Sequence, residues 1–160
     1  MITAIQQFIS RSAIVLAAMA LPFTSCSADP VPDQHEEQIQ EQKEETSMKV
    51  KITVGGKAFT AEIEDSQTGK AFLDKLPLTL DMSELGGNEK FCYGVSLPRN
   101  DQHYGSIVPG DLMLYSGNCL VLFYGAAGGY SYTRVGKIAD TTGLAEAVGK
   151  GSVTVIFEQQ

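Results

Sequence analysis

CLVLFYGAAGGYSYTRVGKIAD, residues 119–140, decides how the rest of the chain is read. Two apolar runs, residues 119–124 and 130–138, flank five small residues, the pattern of two β-strands joined by a glycine-rich connection. Strand geometry sends alternate side chains to opposite faces, so Tyr130, Tyr132 and Arg134 share one side and Ser131, Thr133 and Val135 the other. The glycine run lacks the lysine and following helix start that phosphate cradling needs, and it reads as a connection.

The same signals recur outward from this pair. Lys49–Val54 alternates strictly, Gly55 and Gly56 supply a tight hairpin turn, and Lys57–Ile63 returns with Phe59, Ala61 and Ile63 facing inward. Asp65 or Ser66 can cap a short helix carrying Phe72, Leu73 and Leu76, which Pro77 stops at Leu76. Gly69 weakens that helix, so packing must hold it. Residues 78–82 form a strand, Gly86-Gly87-Asn88 a break, and residues 90–97 a further strand. In that strand Phe91, Tyr93, Val95 and Leu97 face one way and Cys92, Gly94 and Ser96 the other.

Residues 98–109, with two prolines, one glycine and His103, form a long loop with a strand fragment around Tyr104. Strands follow at residues 112–115 and 119–124. After residue 138, Asp140, Thr141 or Thr142 caps a second short helix with Leu144, Ala147 and Val148 inward and Gly149 as its end. Residues 152–158 make the last strand, with Val153, Val155 and Phe157 on one face. Eight or so short strands, glycine-rich turns and two short helices predict a mainly β domain, an eight-stranded closed or nearly closed barrel.

The chain ahead of this domain has a different character. Arg11, an apolar run over residues 13–23 and small residues before Cys26 follow the order of a secretory signal, and the run is too short to span a bilayer as a stable helix. Phe23-Thr24-Ser25-Cys26 resembles a bacterial lipobox, which implies a signal peptide over residues 1–25 and lipid on Cys26. A conventional signal peptide cleaved near Ala28 and a retained membrane anchor are the alternatives. Residues 27–47 hold seven acidic side chains against one lysine, no aromatic residue, and only Val31 and Ile39 as bulky apolar ones. Such a stretch cannot bury enough surface to offset its chain entropy and reads as a tether over residues 26–47, with a short helix over residues 36–45 as an option.

Several separated motifs in the globular part, residues 48–160, then point to a family. Leu76-Pro77-Leu78-Thr79-Leu80, Pro109-Gly110-Asp111-Leu112, Leu122-Phe123-Tyr124-Gly125 and residues 130–136, YSYTRVG, resemble the bacterial cyclophilin-like domain family. The resemblance implies the cyclophilin-like barrel and, at its furthest, peptidyl-prolyl isomerisation. In true cyclophilins an F-H-R strand motif supplies an arginine to the prolyl amide; no F-H-R occurs here. Beyond the signal the arginines are Arg99, in the long loop, and Arg134, in a strand other than the catalytic one. No catalytic residue carries over.

A net charge of -7 argues against a nucleic-acid partner, which requires a clustered basic surface. His35 and His103 stand apart and no zinc-like spacing occurs, so neither metal nor cofactor is called for. Cys92 and Cys119 read as free thiols inside apolar strands. The ligand-groove candidates are Tyr130, Tyr132 and Arg134 with Arg99 and Tyr104, within an aromatic set that also includes Tyr115 and Tyr124, because arginine beside tyrosine rings offers both stacking and a donor fork. The competing reading has the tyrosines covering the barrel and Arg134 paired with Asp111. The sequence thus predicts an envelope lipoprotein at the outer membrane, periplasmic or surface-exposed, held by lipid alone and binding a peptide or small molecule.

Overall fold

A computed structural model describes residues 48–160. The expected signal peptide, lipidated Cys26 and acidic tether lie outside the described residues.

Strands β1 (Lys49–Val54) and β2 (Lys57–Ile63) form the expected hairpin, turned by Gly55 and Gly56 at φ values of +56° and +76°. Ser66 caps helix α1 (Gln67–Leu73), its hydroxyl accepting from the Gly69 N–H at 3.0 Å. The helix closes at Leu73, earlier than Leu76, because the N–H groups of Lys75 and Leu76 reach the carbonyls of Phe72 and Leu73 in tighter three-residue turns. Gly69 has a packing reason as well as a propensity cost. A Cβ there would lie 2.0 Å from the Glu64 carbonyl oxygen.

The chain continues through β3 (Leu78–Leu85), β4 (Glu89–Tyr93), β5 (Gln102–Tyr104), β6 (Asp111–Tyr115), β7 (Cys119–Phe123) and β8 (Tyr130–Ile138). Helix α2 (Leu144–Val148) and β9 (Val153–Gln159) complete it. The strand order β2-β1-β9-β3-β4-β7-β6-β8 closes on itself when Ala61, Glu62 and Ile63 of β2 pair with Ile138, Lys137 and Gly136 of β8. Eight antiparallel strands therefore form a closed barrel, which leaves none of the eight with an open edge, and β5 lies outside it, paired to β8. Helix α1 and the barrel interior share one core, in which Phe72 meets Phe157 edge-on at 5.7 Å. A second apolar cluster, Ile107, Met113, Cys119, Val121, Phe123 and Tyr132, packs apart from it.

Two further sequence expectations are corrected. The strand placed over residues 90–97 runs instead from Glu89 to Tyr93, because Gly94 turns to a φ of +98° and the N–H groups of Gly94 and Val95 both donate to the Asn118 carbonyl. Two successive donors on one acceptor make a bulge, and a bulge changes which way the following side chains point. Phe91 accordingly joins the second cluster, while Val95 and Leu97 enter the barrel core near Cys92. Helix α2 is preceded by Gly143 at a φ of +77° and has no side-chain cap; Asp140 instead accepts from the Thr142 N–H one turn earlier.

Lys90 is fully buried at the open end of β4. Its ammonium pairs with Glu84, donates to the carbonyls of Gly149 and Gly151 at 2.9 and 2.6 Å, and lies 5.4 Å from the Tyr124 ring centre. Every donor of the charge is used, which is the condition for burying it. Glu84 is held below the usual carboxylate range, first by Lys90 and then by the Tyr124 hydroxyl. The network ties the exit of α2 to the barrel rim.

Barrel closure depends on Gly136, whose absent side chain lets the Glu62 carbonyl approach; a Cβ would lie 2.5 Å from that oxygen. Gly136→Ala is expected to cost about 1–3 kcal/mol of stability, the usual range for forced overpacking. Gly105→Ala, where a Cβ meets nothing within 4 Å, is expected to change stability by less than about 0.5 kcal/mol. Urea unfolding of both variants checks the contrast.

Candidate functional site

Register builds a depression on the outward side of β4, β7, β6 and β8. Cys119 stands opposite Tyr93 on one neighbour and Tyr115 on the other, and Val121 stands opposite Phe91 and Met113. A small residue between two large ones leaves a trough along β7. Phe91 and Tyr93 meet edge-on at 5.8 Å to form one wall. Tyr132 supports the other, 5.6 Å from the Tyr115 ring and edge-on to Phe123 at 5.7 Å.

The resulting cleft has a volume of about 450 Å³, and Tyr130, Ala127, Leu85 and Asn88 complete its lining. Tyr93, Tyr115 and Tyr130 are 61%, 43% and 62% exposed, so three large rings that could have been packed instead ring an opening.

Glu89 opens β4 opposite Phe123 and points to this same side. It is only 9% exposed, and its carboxyl is pushed up from the ordinary value of 4.5 with burial as the sole cause. Since the folded-state value lies above the unfolded one, ionising Glu89 begins to oppose folding as pH rises through 4.5. Among the described residues no lysine, arginine or histidine lines the cleft. Burial, aided by neighbouring charges including Glu89, pushes the Cys119 thiol up to about 11 and the Tyr132 hydroxyl up to about 12. Both are protonated at neutral pH, so the cleft presents donors and a carboxylate but no activated nucleophile.

The glycine-rich connection, residues 125–129, bounds the cleft at Ala127. The Asn88 carbonyl accepts from the N–H groups of Tyr124 and Gly125, both at 2.9 Å, and the Asn88 amide donates to the Ala126 carbonyl at 3.2 Å. Ile107 and Ala127 exchange two backbone hydrogen bonds, 2.8 and 3.0 Å long. Gly128 permits this clasp, since a Cβ there would lie 2.4 Å from the Gly105 carbonyl oxygen. The connection therefore works as a fastener between two loops.

The sequence-predicted residues divide among three places. Tyr130 and Tyr132 line the aromatic cleft. Arg134 and Tyr104 line a separate polar recess of about 320 Å³ with Asn100, Gln102, Thr133 and the start of α1. There the guanidinium lies 5.1 Å from the Tyr104 ring centre and 3.8 Å from the buried Asp111 carboxylate. Arg134 pairs with Asp111, and the ring it stacks on is Tyr104, away from the Tyr130 and Tyr132 with which a shared groove was expected. Arg99 joins neither recess: it pairs with Asp101, whose other oxygen accepts from the Thr133 hydroxyl at 2.6 Å. Neither cysteine is disulfide-bonded; Cys119 is buried and Cys92 half-buried. Among the described residues no cluster of three or more metal-ligating side chains occurs.

Tyr115, one of the tyrosines of the expected aromatic set, lines the cleft, whereas Glu89, Phe91 and Tyr93 were not anticipated as site residues. The pattern E-x-F-x-Y over residues 89–93 carried the signal, since it puts a carboxylate and two rings on one strand face.

Comparison with known proteins gives the following. The model of the Cyclophilin-like family matches residues 52–158. A hypothetical protein from Archaeoglobus fulgidus, solved in solution, is 19% identical with a TM-score of 0.55; the match covers 72% of this chain and 96% of that one. McbB, solved in complex with tryptophan, is 14% identical with a TM-score of 0.54; the match covers 69% of this chain and 44% of McbB, so this chain spans under half of that protein. At these identities the likeness concerns the fold. None of the curated proteins matches.

Proposed function

The chain belongs to the cyclophilin-like family, and from that premise we propose that its barrel is a binding module whose aromatic cleft takes a peptide or small-molecule ligand. The observation that carries this reading is the cleft itself. Its volume falls within the roughly 300–1,000 Å³ usual for ligand sites, and its walls are aromatic with a few polar groups, the composition such sites favour. Exposed tyrosine rings around an opening cost the free protein apolar surface in water, which a ligand would recover. McbB was solved in complex with tryptophan, which makes an aromatic compound a sensible first probe on this fold.

Prolyl isomerisation has less support. It requires an arginine donor beside a pocket for the proline ring, and among the described residues no arginine lines the apolar cleft. Arg134 is engaged with Tyr104 and Asp111, and Arg99 with Asp101.

The address proposed for this module is the bacterial envelope, at the outer membrane on its periplasmic or external side. The support is the lipobox-like Phe23-Thr24-Ser25-Cys26 and the acidic stretch after it. Several acyl chains on Cys26 would hold the domain durably, whereas one chain binds only marginally.

Two measurements test these proposals. In protein-observed NMR with a panel of aromatic compounds and short peptides, shifts are expected at Cys119, Val121 and Ala127. Tyr115→Ala and Tyr130→Ala should each weaken binding at least tenfold, about 1.4 kcal/mol. Shifts confined to the Arg134 recess, or proline isomerisation lost in Arg134→Ala, would refute the assignment. Palmitate labelling of the protein in cells is expected to disappear in Cys26→Ala, and labelling that persists would exclude that anchor.

A further inference from the structure

We infer that the cleft takes an organic cation, a free ammonium group on an aromatic or apolar body, with Glu89 as its counter-ion. This rests on the ligand-binding role proposed above and specifies the occupant.

The argument starts from how the fold treats its other buried charges. Lys90 is fully buried and has Glu84, two carbonyls and the Tyr124 ring around it. Asp111 accepts from the Val108 N–H at 3.0 Å through one oxygen, which also faces Arg134, while its other oxygen is buried without a partner among the described residues. Asp101 accepts from Arg99 and Thr133. Glu89, nine-tenths buried, has no hydrogen bond or ion pair among the described residues, and nothing offsets the burial that raises its carboxyl. A carboxylate with little access to water is costly unless paired, and a partner can reach Glu89 from the cleft that it lines.

The surroundings select the sign of that partner. Ring faces carry negative potential that attracts cations, and Phe91, Tyr93, Tyr115, Tyr130 and Tyr132 surround the opening. Among the described residues the lining supplies no positive side chain that could already satisfy Glu89 or welcome an anion. A neutral ligand would bury the carboxylate further without replacing its water. A cleft of about 450 Å³ bounded at one end by Ala127 suits a free amine of one or two rings more than an extended peptide.

The chain has no tryptophan, so indole emission reports ligand alone. Fluorescence titration of the protein with tryptamine, 3-methylindole and indole-3-propionate compares a cation, a neutral molecule and an anion on one ring system. Tryptamine is expected to bind at least tenfold more tightly than 3-methylindole, and indole-3-propionate more weakly still. Glu89→Gln should bring tryptamine to the level of 3-methylindole without moving the latter, and Glu89→Asp, which keeps the charge, should retain part of the preference. Equal binding of all three probes would overturn the inference while leaving the cleft a ligand site. Failure of all three to bind would overturn both. A lysine tripeptide blocked at both ends that displaces tryptamine at lower concentration than tryptamine itself would replace the free amine by a peptide.

Discussion

Strands β6 and β7 have to be kept dry on both sides, and much of the molecule follows from that. Leu112, Leu114, Leu120 and Leu122 face the barrel core, while Met113, Cys119, Val121 and Phe123 face outward, and all eight are buried. A closed barrel covers only the inner set. The outer set needs a cover of its own, and the chain provides it with β5, Ile107, Tyr132 and the clasp between Ile107 and Ala127. The long loop and the glycine run are therefore structural parts of the fold. Where that cover stops short, over Cys119 and Val121, the aromatic cleft opens.

The neighbours Glu89 and Lys90 show how the same strand treats a structural charge and a candidate functional one. Alternation sends them to opposite sides. Lys90 is fully satisfied and joins α2 to the rim, so its burial is a matter of architecture. Glu89 keeps an ionisable group in an apolar setting with no partner among the described residues. Proteins tolerate such local conflict chiefly at sites of function, where groups needed for binding oppose stability.

Most of the fold was legible because period-two alternation and glycine turns are local signals. The hairpin Lys49–Ile63, the Ser66 cap, β8 over Tyr130–Ile138 and the last strand could be read from adjacent residues. The bulge at Gly94 could not, since it depends on the Asn118 carbonyl, distant in sequence, accepting two donors. The site was half legible for the same reason. Tyr130 and Tyr132 belong to one strand and were visible there, but the partition of Arg134 into another recess is set by Asp111 and Tyr104. Glu89 was obscured because its significance lies in what surrounds it, namely rings brought from β6 and β8 by register.

An NMR pH titration of the Glu89 side-chain carboxyl, free and with saturating tryptamine, tests the central claim most directly, because it observes the group on which the cleft's chemistry turns. In the free protein the carboxyl should titrate above its ordinary value of 4.5, since the ionised form alone is penalised by burial. Bound ammonium stabilises that ionised form, so the titration should move to lower pH in the complex. A free-state value at or below 4.5, or one that tryptamine leaves unmoved, would contradict the account.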